Sequence, residues 1–331
     1  MIVRRDALCA AALAVLMPMS TLAQADPTPQ SGGVRPDVIY GDDDRLDLWQ
    51  SSNQALKDLA DSTAALFQGS GVSMSEDGKT ANLATHSYGD SYGLCDDEPF
   101  KEQSAGAFCS GSLVGPDTMM TAGHCIRSAE ACKTTKFVFG FGIAKEGGKT
   151  PDKVGSSEVY GCAELIGREE VGTGADWALV KLDRTVTNHK VLKVNRSGAP
   201  AKGTPLVVIG HPAGLPTKIA GGASVRDHKN GYFTANLDTY GGNSGSAVFN
   251  AVTGQIEGIL VRGENDYVYD SEKQCRRSNV CTADGCRGED VTAIGALVGR
   301  IPTGAGESLR AFSENGDTLQ SLKGMSGEAS R

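Results

Sequence analysis

Gly241-Gly242-Asn243-Ser244-Gly245-Ser246-Ala247-Val248-Phe249 joins a glycine-rich turn to a short apolar run. Glycines without a Cβ let such a turn double back tightly and approach other groups closely. The run 246–249 is only strand length, and runs of the same kind recur at 63–67, 112–114, 136–141, 177–182, 206–209 and 256–261. Several are β-branched or aromatic, and turn residues separate them, which is the signature of short strands. Long amphipathic helical patterns are scarce, apart from a helical turn around 55–59. The series predicts an all-β sandwich or barrel, and a span of roughly 240 residues suits two small antiparallel β-barrels. The acidic triplet Asp42-Asp43-Asp44 reads as a solvated turn, because the glycine and distal Glu of a calcium loop are missing.

Working outward, the ends of the chain and its cysteines indicate the compartment. Arg4 and Arg5 precede an apolar run at 7–17, and Ala23-Gln24-Ala25 follows with small residues at a cleavage spacing. That run covers only about half a bilayer core, so residues 1–25 read as a signal peptide and not as a membrane anchor. Residues 26–37 are rich in Pro and Gly and read as a linker or short pro-segment, and 303–331 reads as a polar C-terminal tail. Removing Cys9 with the signal leaves Cys95, Cys109, Cys125, Cys132, Cys162, Cys275, Cys281 and Cys286, an even set that suits disulfides in an exported protein. A zinc site at Cys275, Cys281 and Cys286 is the weaker reading, since the short Cys/His pairs of such sites are missing. Export to a periplasm or to the medium follows. The net charge of −8 has the wrong sign for displacing counterions from a nucleic acid, so no nucleic-acid partner is expected.

Three segments carry chemistry: Thr121-Ala122-Gly123-His124-Cys125, Asp176-Trp177-Ala178-Leu179-Val180-Lys181-Leu182, and the turn around Ser244. A serine hydroxyl attacks a carbonyl only if a base takes its proton, and imidazole suits that task near neutral pH. A buried carboxylate must then fix the imidazole tautomer and support the imidazolium. This assigns Ser244 as nucleophile, His124 as base and Asp176 as the acid that orients it. The backbone N–H groups of Gly242 and Ser244 would form the oxyanion hole. No metal or other cofactor is called for. His211 reads as a loop histidine, and His86, His189 and His228 as surface residues. Asp183 is a less suitable acid, beyond the strand that would carry it.

These segments, with Cys109-Ser110-Gly111-Ser112-Leu113-Val114, resemble the trypsin-like serine peptidase family over most of residues 38–300. Asn243-Ser244-Gly245-Ser246 and Val38-Ile39-Tyr40-Gly41-Asp42-Asp43-Asp44-Arg45 are similar to the bacterial branch that contains the glutamyl endopeptidases. The resemblance implies a chymotrypsin-like domain over 38–302. It would comprise two Greek-key barrels meeting near 185–195, with the active site at their interface. It also implies a Cys109–Cys125 bridge. The other six cysteines, Cys95, Cys132, Cys162, Cys275, Cys281 and Cys286, allow 15 pairings, and nothing in the residues chooses among them.

Two departures from the family pattern bear on function. The residue before the nucleophile is Asn243, which cannot pair with a new N-terminal ammonium as the Asp of digestive relatives does. Activation by N-terminal insertion is therefore not expected. Asp238 lies where the trypsin pattern places the carboxylate at the base of the specificity pocket, which would favour Arg or Lys before the scissile bond. The strand that would wall the pocket supplies Val261, Arg262 and Gly263, with Leu260 where glutamyl-specific relatives carry histidine. Arg262 could attract an acidic residue or pair with Asp238. The expected activity is a secreted serine endopeptidase acting on protein or peptide substrates. A catalytically silent binding module or adhesin is the alternative from another class. An esterase fits less well, lacking the G-x-S-x-G elbow on a strand–helix background.

Overall fold

The computed structural model describes residues 38–303; the signal peptide, the linker and all but the first residue of the polar tail lie outside the described residues. The expected strand-rich chain forms two closed six-stranded antiparallel barrels. The first runs Thr135–Val138, Val159–Glu170, Asp176–Leu182, Thr118–Thr121, Cys109–Gly115 and Thr63–Gln68, which pairs back onto Thr135–Val138. The second runs Pro205–Gly210, Ala247–Asn250, Ile256–Arg262, Glu289–Ala293, Tyr232–Ala235 and Lys218–His228, which closes onto Pro205–Gly210. In each barrel the first three strands in chain order are neighbours, and the fourth returns beside the first, the Greek-key arrangement. This is the chymotrypsin fold.

The apolar runs become strands because they are buried on both faces. Asp176–Leu182 exposes only Lys181, and Ile256–Arg262 is buried throughout. One apolar cluster reaches from Leu113, Met120 and Leu179 in the first barrel to Val207, Phe249 and Ile259 in the second. Burying each such side chain contributes roughly 1.5–3 kcal/mol, so the contact between barrels belongs to the core of the fold. The expected helical turn is the helix Gln54–Ala60, whose Asn53 cap accepts from the amides of Ala55 and Leu56 at 3.0 and 3.3 Å.

Four disulfides join Cys109–Cys125, Cys95–Cys275, Cys132–Cys162 and Cys281–Cys286. The first is the bridge the resemblance implied. Cys95–Cys275 ties the segment before His124 to the hairpin Tyr267–Asp270 and Cys275–Ser278, across a separation of 180 residues. Before the first barrel, Arg45–Asp47 crosses to the second and pairs with its strand Lys218–His228. No helix among the described residues is long and apolar enough to cross a membrane.

Candidate active site

Asp176 opens its strand and is 1% exposed. Its Oδ2 lies 2.8 Å from Nδ1 of His124, and its Oδ1 accepts the His124 backbone N–H at 3.1 Å. Burial pushes the Asp176 carboxyl up. The hydrogen bonds and charge of His124, aided by the Arg262 guanidinium, outweigh that and hold it below the usual aspartate value. An ionised carboxylate only accepts, so Nδ1 carries the proton and Nε2 of the neutral ring is left as the basic nitrogen. The second barrel holds the backbone of Asp176. The Thr292 hydroxyl accepts its N–H at 2.9 Å and donates to its carbonyl at 3.0 Å.

Ser244 is 6% exposed in the turn before Ala247–Asn250. Its carbonyl accepts the Ser110 N–H at 2.8 Å, which docks the turn on the first barrel. Gly245 has φ +91, and a Cβ there would sit 2.1 Å from the Ser110 carbonyl oxygen and 2.3 Å from Thr121 Oγ1. The Ser244 turn therefore abuts the end of the strand that leads into His124. Inside the turn, Asn243 Oδ1 accepts from Ser246 Oγ at 2.6 Å and its Nδ2 donates to Thr239 Oγ1.

The turn also leaves two of its amides without an acceptor among the described residues. Gly242 has φ +94, and a Cβ there would lie 2.9 Å from the Gly214 nitrogen, so only glycine fits. The Gly241 carbonyl is taken up by the Ala213 N–H at 2.7 Å. In a trans peptide the N–H points opposite to the C=O, so Gly242 presents its N–H on the other side. Among the described residues, neither the Gly242 N–H nor the Ser244 N–H meets an acceptor.

Asp238 and Arg262, expected to shape the pocket, are each engaged by other groups of the fold. Asp238 is 2% exposed, and its two oxygens accept the Tyr40 and Asp44 backbone amides at 2.7 and 2.8 Å. Burial pushes its carboxyl up to about 8; the two amides oppose the rise and the Asp43 and Asp44 carboxylates add to it. It anchors the incoming segment 38–44, where the sequence reading had placed it at the floor of an open pocket. Arg262 pairs with neither a pocket nor Asp238. Its Nε donates to Asp290 at 2.9 Å and its Nη2 to the Gly174 carbonyl at 2.6 Å, clasping the loop that feeds Asp176. Val261 belongs to the apolar core, and Gly263 is half-buried just past the strand.

Of the other histidines, His211 lies in a loop and His86 and His228 are exposed, as expected, while His189 departs from expectation. His211 is fully buried, with Nδ1 3.0 Å from the Leu215 carbonyl, and burial lowers its pKa to about 3. His189, expected on the surface, is held between Asp61 at 2.9 Å and Glu158 at 2.6 Å and stacks on Phe139. Thr292, which holds Asp176, and Asp266, which accepts from Gly241 of the serine turn at 3.1 Å, were not visible beforehand. Neither sits in a patterned segment, and both act on residues well separated from them in sequence.

The two closed barrels, with His124 bonded to Asp176 beside the Ser244 turn, define a chymotrypsin-fold domain of the serine peptidase type. Residues 109–259, a little under half of the chain, match the family model of the trypsin-like peptidase domain. Human chymotrypsin-like elastase family member 3B is 34% identical over 86 residues, which cover 25% of this chain and 31% of that protein. The match thus spans about a third of the relative's own length. Among solved structures, a Glu endopeptidase in complex with MPD is similar at 18% identity and a TM-score of 0.45, covering 79% of this chain and 96% of that one. The inactive form of the Rv3671c protease is similar at 12% identity and a TM-score of 0.41, covering 75% and 93%.

Proposed function

We propose that the protein is an exported serine endopeptidase, with residues 1–25 as its signal peptide and 38–302 as its peptidase domain. Ser244 Oγ attacks the scissile carbonyl while His124 Nε2 takes its proton, and Asp176 stabilises the imidazolium. The Gly242 and Ser244 amides hold the oxyanion, and removing one such donor typically costs about 10²–10³ in turnover. His124 then protonates the leaving amine, and a water activated by the same nitrogen releases the acyl group. The observation that carries the reading is the 2.8 Å contact of His124 with buried Asp176, beside a serine turn with two unengaged amides.

The proposal carries no preference for Arg or Lys. Such a preference needs a carboxylate facing the substrate, and both Asp238 oxygens are engaged by backbone amides. The test is digestion of a mixed peptide library by the mature protein and by its Ser244→Ala variant, with cleavage sites mapped by mass spectrometry. Cuts made only by the serine form support the triad. Equal products from both forms would refute it, and no products from either would leave the binding module standing.

A further inference from the structure

We propose that Asp266 is a positioning residue for the oxyanion turn, a role that rests on the peptidase reading above. Gly241 and Gly242 lack Cβ atoms, so the peptide between them can flip with little steric resistance. A flip would withdraw the Gly242 N–H and present the Gly241 carbonyl oxygen to a developing negative charge. In relatives that carry Asp before the nucleophile, an ion pair can order this turn. Here Asn243 occupies that position, and its amide is spent on Thr239 and Ser246.

Two contacts fix Gly241 on either side. Its carbonyl accepts the Ala213 N–H at 2.7 Å, and its own N–H donates to both oxygens of Asp266, at 3.2 and 3.1 Å. Hydrogen bonds to an ionised acceptor are about twice as strong as neutral ones, so the carboxylate is the firmer kind of anchor. Asp266 is itself well seated. Its carbonyl accepts the Asn279 N–H at 2.7 Å at the base of the hairpin Tyr267–Asp270 and Cys275–Ser278, which Cys95–Cys275 ties down. The next residue, Tyr267, packs its ring 5.0 Å from that of Tyr240, the residue before Gly241. The competent turn is thus held from the hairpin side, without a charged N-terminus.

Asp266 is half-buried and outside both barrels' strands, so its replacement should leave the fold intact. In the full chain, Asp266→Ala should lower kcat about 10- to 100-fold with KM nearly unchanged, a smaller loss than deleting an oxyanion donor outright. Binding of a peptide boronic acid, which needs the oxyanion site, should weaken in parallel. Asp266→Asn, which keeps one acceptor for Gly241, should recover most of the loss. Hydrogen exchange at the Gly241 amide, read in the Ser244→Ala background, should be slow while Asp266 is in place and fast once Asp266→Ala is added. Wild-type kcat in Asp266→Ala, a rise in KM alone, or unchanged exchange would overturn the role while leaving the peptidase reading in place. A wild type no more active than Ser244→Ala would overturn both.

Discussion

Replacing Gly245 with Ala tests the joint between the two halves of the site. The added Cβ would lie 2.1 Å from the Ser110 carbonyl oxygen and 2.3 Å from Thr121 Oγ1, where contacts under 3.0 Å essentially never occur. The turn must therefore retreat by about 1 Å, taking the Ser244 hydroxyl with it. A misplacement of that size costs about 10²-fold in rate, near 2.7 kcal/mol of barrier. The backbone adds its own cost, because φ is +91 and a non-glycine residue there is strained by about 1–3 kcal/mol. The assay is kcat/KM on a peptide amide, normalised to the sites titrated by a serine-directed organophosphonate, with thermal unfolding in parallel. Gly245→Ala should lose about 100-fold per titrated site and melt several degrees lower. Full activity at an unchanged melting temperature would refute the docking of this turn on Thr121.

Two further outcomes follow from buried charges. Asp61 and Glu158 raise the His189 pKa to about 9 against the opposing effect of burial, so the protonated ring stabilises the fold below pH 6.5 and the contribution is lost as pH rises through 9. The full shift is worth at most about 3 kcal/mol, and screening at the largely exposed Asp61 reduces it to roughly 1–2. His189→Gln should therefore destabilise in urea unfolding at about pH 6 and be nearly neutral at about pH 10; equal losses at both would refute the ion-pair account. Arg262→Met should destabilise by about 3 kcal/mol by breaking a buried pair, the low end of the range because Arg287 still reaches Asp290 at 2.7 Å. Its peptide selectivity should match the wild type, and a change at acidic residues would return Arg262 to the pocket.

The strand series, and the grouping of His124 with Asp176 and the Ser244 turn, were legible because each depends on local pattern. A run of apolar residues between glycines makes a strand wherever it folds, and a glycine beside a serine marks a close approach whatever approaches. Asp238 shows what such patterns omit. Its position relative to Ser244 fixed its place along the chain, but what covers it is Tyr40, 198 residues away. His189 was misjudged for the same reason, since Asp61 lies 128 residues from it. The three cysteine pairings left open also depend on which loops meet in space. Long-range polar contacts leave no periodicity to read.

Cys95–Cys275 has a consequence for a chain expected to cut polypeptides, including its own. The bridge makes a covalent ring of everything between residues 95 and 275, which includes the segments carrying His124, Asp176 and Ser244. A single nick in any loop of that ring opens it into a line whose pieces stay joined through sulfur. Such a nicked molecule would migrate as one species until reduced. A nick in a loop and loss of the molecule are therefore separate events: a reducing gel reveals the nick, and a non-reducing gel shows whether the molecule survives it.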